Sequence, residues 1–413
     1  TPTRSLRAAA VAVVLALVAT VLALSAPIAA EAARPGELTG LGCIGNAEPV
    51  DSGVNTCDSG PLGTTDFDAL HGVGVPVVNA AGTRVYVTSY RSDAVVWFSR
   101  AASGLLTPLG CLQDPGAEPL IAACDPAEGL SFPWGAVLSP DGQQLYVTSN
   151  GDSAVTRLDV ALDGSLSDGG CISVESGPCA VKTEGLEGAY GLSMSDDGAD
   201  LYVGGYNADG VVQLRRSPNG DLSVGSCLRT VATEGCAAAP GLDNPWDTVV
   251  SHDGTSVYVA GDVDGEAGGN VAVFDRDVTT GELSQGRCLR DAQAALAGCT
   301  TTALALSGAF AIAISGDDRS VYVAANGDHA VTHLRRAADG DLTDLGCIED
   351  TGGSVGCAVK TQGLNQVAFV AVAADDDQVL ASSVGDNAVT VLNRGGTGGL
   401  TATSCISDID EGT

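Results

Sequence analysis

The chain has 413 residues and a formal net charge of −32, because 51 acidic residues face only 19 basic ones. Such a surface repels phosphate backbones and anionic membranes, which excludes nucleic acid as a partner; it either attracts cations or simply keeps an exported protein soluble. Glycine contributes 55 residues and aromatic residues only 4% of the chain, a composition typical of short strands and tight turns. We therefore expect an all-β protein.

The N-terminus predicts export. Two arginines precede an uncharged stretch, residues 8–30, and small residues follow it, a pattern typical of a signal peptide over residues 1–32. An uncleaved membrane anchor is the alternative, because the stretch is long enough to span a bilayer. Either interpretation places residues 33–413 outside the cytoplasm, secreted or at the cell surface, with no membrane contact beyond the leader.

One short pattern repeats along the rest of the chain. Its clearest copy is SPDGQQLYVTSNGDSAV, residues 139–155, in which a turn leads into a strand and a second turn leads out of it. The copies follow one another roughly every 60 residues, which is the period of a repeat architecture. Their central residues are Tyr86, Tyr146, Tyr202, Tyr258, Tyr322 and Leu380.

Each copy predicts four antiparallel strands. In the second copy WGAVLS forms strand a, QQLYVTS strand b, SAVTRLDV strand c and GSLSDGGCI strand d, with Gly-containing turns between them. Four antiparallel strands per repeat make the blade of a β-propeller, so we predict a single propeller domain over residues 33–413. Its blades are expected near residues 71–115, 131–175, 188–229, 245–290, 308–349 and 366–407.

The number of blades depends on one additional strand. The sequence GELTGLGCI, residues 36–44, matches the strand d sequence GDLTDLGCI of residues 340–348, although no strands a to c precede it. Because a propeller avoids unpaired edges, six complete blades plus this strand predict a seven-bladed ring whose last blade is completed beyond the printed sequence. A six-bladed ring with a spare N-terminal strand is the alternative.

Thirteen cysteines recur with the blades. In each pair the first cysteine ends a strand d and the second lies in the loop that leads to the next strand a. Because an exported protein meets an oxidising environment, we predict that each pair forms a disulfide. The cysteines lack the CxxC spacing of a metal site. The pairs are Cys43–Cys57, Cys111–Cys124, Cys171–Cys179, Cys227–Cys236, Cys288–Cys299 and Cys347–Cys357. Cys405 is left without a partner. The loops after strands b and d emerge on the same side, which makes that side the candidate functional face.

Aromatic residues recur where strand a begins, at Trp134, Tyr190, Trp246 and Phe310. Packing between blades explains such a position, since propellers need bulky side chains there. The functional interpretation is an aromatic mouth that binds a sugar, another flat small molecule or an envelope protein.

Acidic residues recur in the loops between strands b and c, at Asp93, Asp152, Asp209, Asp328 and Asp386. Turn chemistry explains them, because Asp beside Gly favours tight turns. Ligand binding is the alternative. The fourth loop is longer and carries Asp262, Asp264 and Glu266, oxygen ligands that would suit Ca²⁺. Calcium is the only cofactor that we expect from the sequence.

Catalytic motifs are scarce. The sequence has no HExxH and no P-loop, and GGSVG at residues 352–356 lies between two cysteines, where it does not join a strand to a helix. His71 and Asp247 are the weak catalytic candidates, because both lie near the entrance of an innermost strand.

The repeats resemble the seven-bladed lactonase-type β-propellers, which include cytoplasmic 6-phosphogluconolactonases, carboxymuconate-cyclising enzymes and exported YVTN-type repeat proteins. The resemblance covers residues 36–406 and rests on units such as SPDGQQLYVTSNGDSAV followed by LDGSLSDGGCI. It implies the propeller fold and, in the enzymes, Arg, His and Glu side chains over the channel. These side chains are not matched to positions of this chain.

Two functions follow as hypotheses. The first is a secreted, monomeric propeller that binds a small molecule, a glycan or an envelope protein through its disulfide-framed face. The second is a lactonase-like enzyme that opens or isomerises a small lactone, with a cation to polarise the carbonyl.

Overall fold

The computed structural model describes residues 44–45, 65–66, 69–263, 268–294, 296 and 298–407. The predicted signal peptide lies outside these residues. Strands dominate the described part of the chain, and the short 3₁₀-helix Tyr206–Ala208 is its one helical element. No helix among the described residues is long and apolar enough to cross a membrane.

Six sheets follow one another along the chain, and each is one blade. Strands a are β3 (Val73–Val78), β8 (Pro133–Leu138), β13 (Ala189–Met194), β18 (Pro245–Val250), β23 (Ala309–Ile314) and β28 (Val367–Val372). Strands b are β4 (Arg84–Ser89), β9 (Gln144–Ser149), β14 (Asp200–Gly205), β19 (Ser256–Asp262), β24 (Ser320–Ala325) and β29 (Gln378–Ser383). Strands c are β5 (Ala94–Arg100), β10 (Ala154–Val160), β15 (Gly210–Arg216), β20 (Gly269–Arg276), β25 (Ala330–Arg336) and β30 (Ala388–Arg394). Strands d are β6 (Leu106–Gln113), β11 (Leu166–Ser173), β16 (Leu222–Arg229), β21 (Leu283–Asp291), β26 (Leu342–Asp350) and β31 (Leu400–Ser407).

Blades 1 to 5 contain a fifth strand that the four-stranded prediction missed. It is two or three residues long and pairs in parallel with strand d, because the disulfide loop turns the chain back along the outer edge of the blade. These strands are β7 (Asp125–Pro126), β12 (Val181–Lys182), β17 (Ala237–Ala238), β22 (Thr301–Ala303) and β27 (Val359–Thr361). A run this short has no periodicity to detect.

The same parallel pairing occurs near the N-terminus. Strand β1 (Ile44–Gly45) pairs with β2 (Thr65–Asp66), and Ile44, which follows Cys43, opposes Thr65. In blade 2 the residue after Cys171 likewise opposes the first residue of β12. β1 and β2 therefore reproduce the end of a blade.

The hydrophobic cores lie between successive blades, whose strands a pack against one another around a common axis. The strand b tyrosines are buried there, and each donates a hydrogen bond to a glycine carbonyl in the turn of the next blade. The bonds run from Tyr86 to Gly164 (3.2 Å), Tyr146 to Gly220 (2.6 Å), Tyr202 to Gly281 (2.6 Å), Tyr258 to Gly340 (2.9 Å) and Tyr322 to Gly398 (2.7 Å). The described residues contain six blades, and no complete seventh blade is among them.

Candidate functional site

The loops after strands b and d emerge together on one side of the propeller, here named the disulfide face. Five disulfides lie on it, between cysteines that the sequence pairs. They join Cys111–Cys124, Cys171–Cys179, Cys227–Cys236, Cys288–Cys299 and Cys347–Cys357. Cys43 and Cys57 lie outside the described residues, and Cys405 is an exposed free thiol. The disulfide Cys111–Cys124 closes the loop whose residues 117–123 line one of the pockets on this face.

The loop carboxylates on this face bind backbone amides. At the entrance of β8, the consecutive N–H groups of residues 130–132 donate to Asp114 (3.1 Å), Asp152 (2.9 Å) and Asp93 (2.6 Å). The other predicted loop acids do the same: Asp209 accepts from Asn244, Asp328 from Ser307 and Asp386 from Asn365. All five hold the start of an innermost strand in place.

Burial raises the pKa of several of these carboxylates. Burial is the largest cause of the raised pKa of Asp93 and of Asp152, and the negative charge of Asp114 raises both values further. Burial also raises the pKa of Asp328 to about 7, with a further contribution from the neighbouring Asp291. Crowded acids that already accept amide hydrogen bonds are consistent with a structural role.

The predicted calcium ligands lie only partly within the described chain. Asp262 accepts a hydrogen bond from the amide of Val263 (2.8 Å), whereas Asp264 and Glu266 lie outside the described residues. Among the residues that are described, no group of three or more His, Cys, Asp or Glu side chains could hold a metal ion. The calcium site remains a prediction.

Eight aromatic side chains converge on the propeller axis and form what we name the aromatic cluster. They are Tyr90, Phe132, Trp134, Tyr190, Tyr206, Trp246, Phe310 and Phe369, all half-buried. Trp134 is central: the centroid of its ring lies 5.4 Å from that of Tyr90, 5.3 Å from that of Tyr190 and 6.2 Å from that of Phe369 across the axis. The structure thus brings the four predicted aromatic residues together, and they pack against one another as well as toward the mouth.

A cavity of about 170 Å³ lies on the axis beside the cluster, with Asp247 in its wall. The carboxylate accepts hydrogen bonds from the amides of Thr248 (2.9 Å) and of Ile312 in the next blade (3.1 Å). Burial raises the pKa of Asp247 to about 7, because it disfavours the charged carboxylate more than the two amide hydrogen bonds stabilise it. The exposed part of the side chain faces only this cavity. Asp247 therefore titrates near neutral pH inside the channel.

His71, the other catalytic candidate, lies in a different pocket on the disulfide face. That pocket has a volume of about 450 Å³ and is lined by His71, Arg91 and Asp93 together with residues 117–123 of the first disulfide loop, including Glu118. Nη1 of Arg91 lies 3.4 Å from Nε2 of His71. The Arg91 guanidinium also lies 5.7 Å from the centroid of the Tyr90 ring, which links this pocket to the aromatic cluster.

The structure therefore separates His71 from Asp247, which line different cavities. The other histidines are engaged elsewhere. His252 contacts Asp196 (3.1 Å), His329 accepts from the amide of Gln366 (2.9 Å), and His333 is buried beside Ser320 (3.1 Å). Among these histidines, His71 lines a pocket on the disulfide face and has an arginine beside its ring.

The sequence did not identify Arg91 as a partner of His71. The two are distant along the chain and meet because Arg91 follows β4 and His71 precedes β3, adjacent strands of one blade. The amide of Arg91 donates to the carbonyl of His71 (3.1 Å), a pairing that a strand alignment would have suggested. Tyr90, Phe132, Tyr206 and Phe369 were missed because each lies outside the repeated aromatic position.

No protein-family model matches the chain, and no curated protein is similar to it. The periplasmic gluconolactonase of Pseudomonas aeruginosa is 20% identical, with a TM-score of 0.58 over 85% of this chain and 90% of the other. A proposed 6-phosphogluconolactonase from Bacteroides fragilis is 19% identical, with a TM-score of 0.56 over 80% and 83%. A protein from Lactobacillus plantarum is also 19% identical, with a TM-score of 0.58 over 80% and 84%.

Identities this low establish the fold and not the chemistry. The described blades, their antiparallel order and these likenesses agree on one architecture. The chain is an all-β propeller with the fold seen in lactonase-type propellers.

Proposed function

We propose that the protein hydrolyses a small lactone in the pocket of His71 and Arg91. The contact between these two side chains carries the proposal. A guanidinium can only donate hydrogen bonds, so Nε2 of His71 is the acceptor when the two side chains hydrogen-bond. An unprotonated imidazole nitrogen can take a proton from water, which is what the attack on a lactone requires.

The reaction can be written with these two groups alone. Nε2 of His71 accepts a proton as water adds to the lactone carbonyl carbon, while Arg91 donates hydrogen bonds to the carbonyl oxygen that becomes negative. The ring C–O bond then breaks, and the imidazolium returns its proton to the departing alkoxide. The product is a hydroxy acid. The neighbouring Tyr90 ring offers a surface for the C–H groups of the lactone.

The direct test is a pH-stat assay of the purified protein on five- and six-membered lactones. We expect acid release that falls at least about a hundredfold in His71→Gln, the usual scale for loss of a general base, and strongly in Arg91→Gln. His252→Gln is the matched control, because the imidazole of His252 lies at the surface against the carboxylate of Asp196, away from this pocket. Turnover that His71→Gln leaves unchanged would remove this pocket from the chemistry. A chelator arm tests whether calcium contributes.

The second candidate function is binding without catalysis. The aromatic cluster supports it, since eight half-buried rings around one axis provide the surface that a sugar or another flat ligand would stack on. Saturable binding of a lactone or sugar, with no acid release and with loss in Trp134→Ala, would favour this function over hydrolysis.

We further propose that the protein acts outside the cytoplasm. The five disulfides support this location, because such bonds persist in oxidising compartments. One structural neighbour is a periplasmic gluconolactonase. Labelling of free thiols in protein taken directly from its native host tests the proposal. No more than one reactive thiol per chain is expected, and several would contradict the proposal.

A seventh blade is also proposed, with β1 and β2 as its outer strands. The parallel register of Ile44 with Thr65 supports it, because it repeats that of blades 1 to 5. The edge of blade 1 supports it too. Arg100 ends strand c of blade 1, and the arginines that end strand c in blades 3 to 6 each bond the strand b tyrosine of the preceding blade. In blade 6 the residue at the position of that tyrosine is Leu380. Hydrogen exchange tests it. We expect the amides of residues 36–45 to be protected as those of β6 are; rapid exchange would contradict it.

A further inference from the structure

A cleft between blades 5 and 6 concentrates arginine side chains in this acidic protein. Its volume is about 570 Å³, and it is lined by Arg319, His333, Arg335 and one acidic residue, Asp317, of blade 5 and by Arg394 and Thr397 of blade 6. It lies where the turns between strands a and b and between strands c and d emerge, on the side opposite to the disulfide face. The cleft is therefore separate from the pocket of His71.

Two of its three arginines are not neutralised. Arg394 contacts Asp317 (2.8 Å) and Asp376 (2.7 Å), so its charge is balanced. The exposed guanidinium groups of Arg319 and Arg335 make no hydrogen bond or ion pair with any residue that the structure describes. His333 is buried, and this burial, with the charge of Arg394, lowers its pKa to about 4, which leaves it uncharged at neutral pH. The cleft consequently has a net positive charge.

Between other pairs of blades, an acidic side chain pairs with an arginine at the place that corresponds to this cleft. In three of them an arginine on strand c or d pairs with the acidic residue immediately before strand d of the next blade. The pairs are Arg157 with Asp221, Arg215 with Glu282 (3.1 Å), and Arg287 with Asp341. Arg335 occupies the same place on β25 as Arg215 on β15: each is the penultimate residue of strand c.

Blade 6 lacks the acid that would complete the fourth pair. The residue immediately before Leu400, where Asp221 precedes Leu222 in blade 3, is Gly399, within the glycine-rich turn GGTGG. The missing carboxylate leaves Arg335 unpaired and leaves space in the cleft. A Cβ built on Gly399 meets nothing nearer than Oγ1 of Thr397, at 4.0 Å.

We propose that this cleft binds a small oxyanion, a carboxylate or phosphate group, in the place that a turn carboxylate fills between other blades. Arg319 and Arg335 would donate to it, since a guanidinium matches the two oxygens of a carboxylate or phosphate. The remaining cavity would accommodate the body of a ligand that carries the group. The proposal is independent of lactone hydrolysis, because it uses no residue of the His71 pocket.

The test is calorimetric titration of the full chain at low ionic strength with inorganic phosphate, glucuronate and, as a neutral control, glucose. We expect saturable binding of one oxyanion per chain and none of glucose. The comparison of phosphate with glucuronate identifies which class the site prefers. The double variant Arg319→Gln/Arg335→Gln should bind at least about tenfold more weakly.

The most informative variant is Gly399→Asp, which restores the acid of the other turns. It should pair with Arg335 and weaken oxyanion binding by about tenfold or more, while the thermal transition stays at or above that of the original chain. Arg215→Gln is the matched control and should bind as the original chain does. Binding that is equal with and without Gly399→Asp would overturn the proposal, as would the absence of binding for both anions.

Discussion

The phenol oxygen of Tyr202 in blade 3 lies 2.7 Å from Nε of Arg276 in blade 4, and it donates to the carbonyl of Gly281 at 2.6 Å. Arg276 is buried, with a side chain 2% exposed, and also bonds Asp200. The same tyrosine–arginine contact joins blades 2 and 3, 4 and 5, and 5 and 6. It is the repeated polar link between blades.

Replacing Tyr202 with Phe tests this link. The variant leaves a donor of Arg276 and the carbonyl of Gly281 without their partner, so we expect a loss of about 1 to 3 kcal/mol in the free energy of unfolding. Tyr86→Phe is the matched control, because the next blade has Val160 where the others have arginine, and Tyr86 bonds only Gly164. Denaturant unfolding measures both, and equal losses would contradict a role for the arginine.

Asp247 predicts a dependence of stability on pH. Its pKa is raised from 3.8 to about 7, so the native state retains a proton that the unfolded chain releases. Its contribution to stability is therefore largest below pH 4 and is lost as the pH rises toward 7. Between pH 5 and 8, the free energy of unfolding of the original chain should fall relative to Asp247→Asn by roughly 2 to 3 kcal/mol. A pH-independent difference between the two proteins would show that the carboxyl titrates normally.

The repeats allowed most of the fold to be predicted. Turn signals around Tyr146 define strands a to d because each strand is several residues long and ends at glycine or aspartate. The cysteine spacing predicted which thiols meet, since each pair closes one short loop. Strands such as β12, of two residues, could not be predicted because their pairing depends on the disulfide and not on any local pattern.

The candidate site was only partly predictable. Trp134 and Tyr190 occupy the same position in successive repeats, so their convergence at the axis follows from the symmetry of the blades. Phe369 is one position later in its repeat, where blades 2 and 3 have glycine, and it reaches the same cluster. The backbone pairing of His71 with Arg91 recurs in other blades, for example between Ser131 and Gly151, but only blade 1 has a histidine and an arginine at these positions. The repeats therefore give no signal for the side-chain contact.

The aromatic cluster should report ligand binding by fluorescence. Trp134 and Trp246 belong to the cluster, whereas Trp97 is 6% exposed in the core of blade 1. If the cluster binds a lactone or sugar, titration should quench the emission of the original chain and should change it much less in a Trp134→Phe/Trp246→Phe variant that retains only Trp97. Equal quenching in both proteins would place the ligand away from the axis.

The disulfide Cys111–Cys124 closes the loop that forms one wall of the His71 pocket, whereas Cys227–Cys236 closes the corresponding loop of blade 3. Loop entropy predicts that removing either bond by paired Cys→Ala substitutions lowers the free energy of unfolding by about 2 to 3 kcal/mol. Only loss of Cys111–Cys124 should also lower lactone turnover, because it frees residues 117–123 to move away from Arg91. The comparison therefore separates stability from catalysis: turnover that falls equally in both variants, at a temperature where both are folded, would mean that the pocket beside blade 1 has no special part in the reaction.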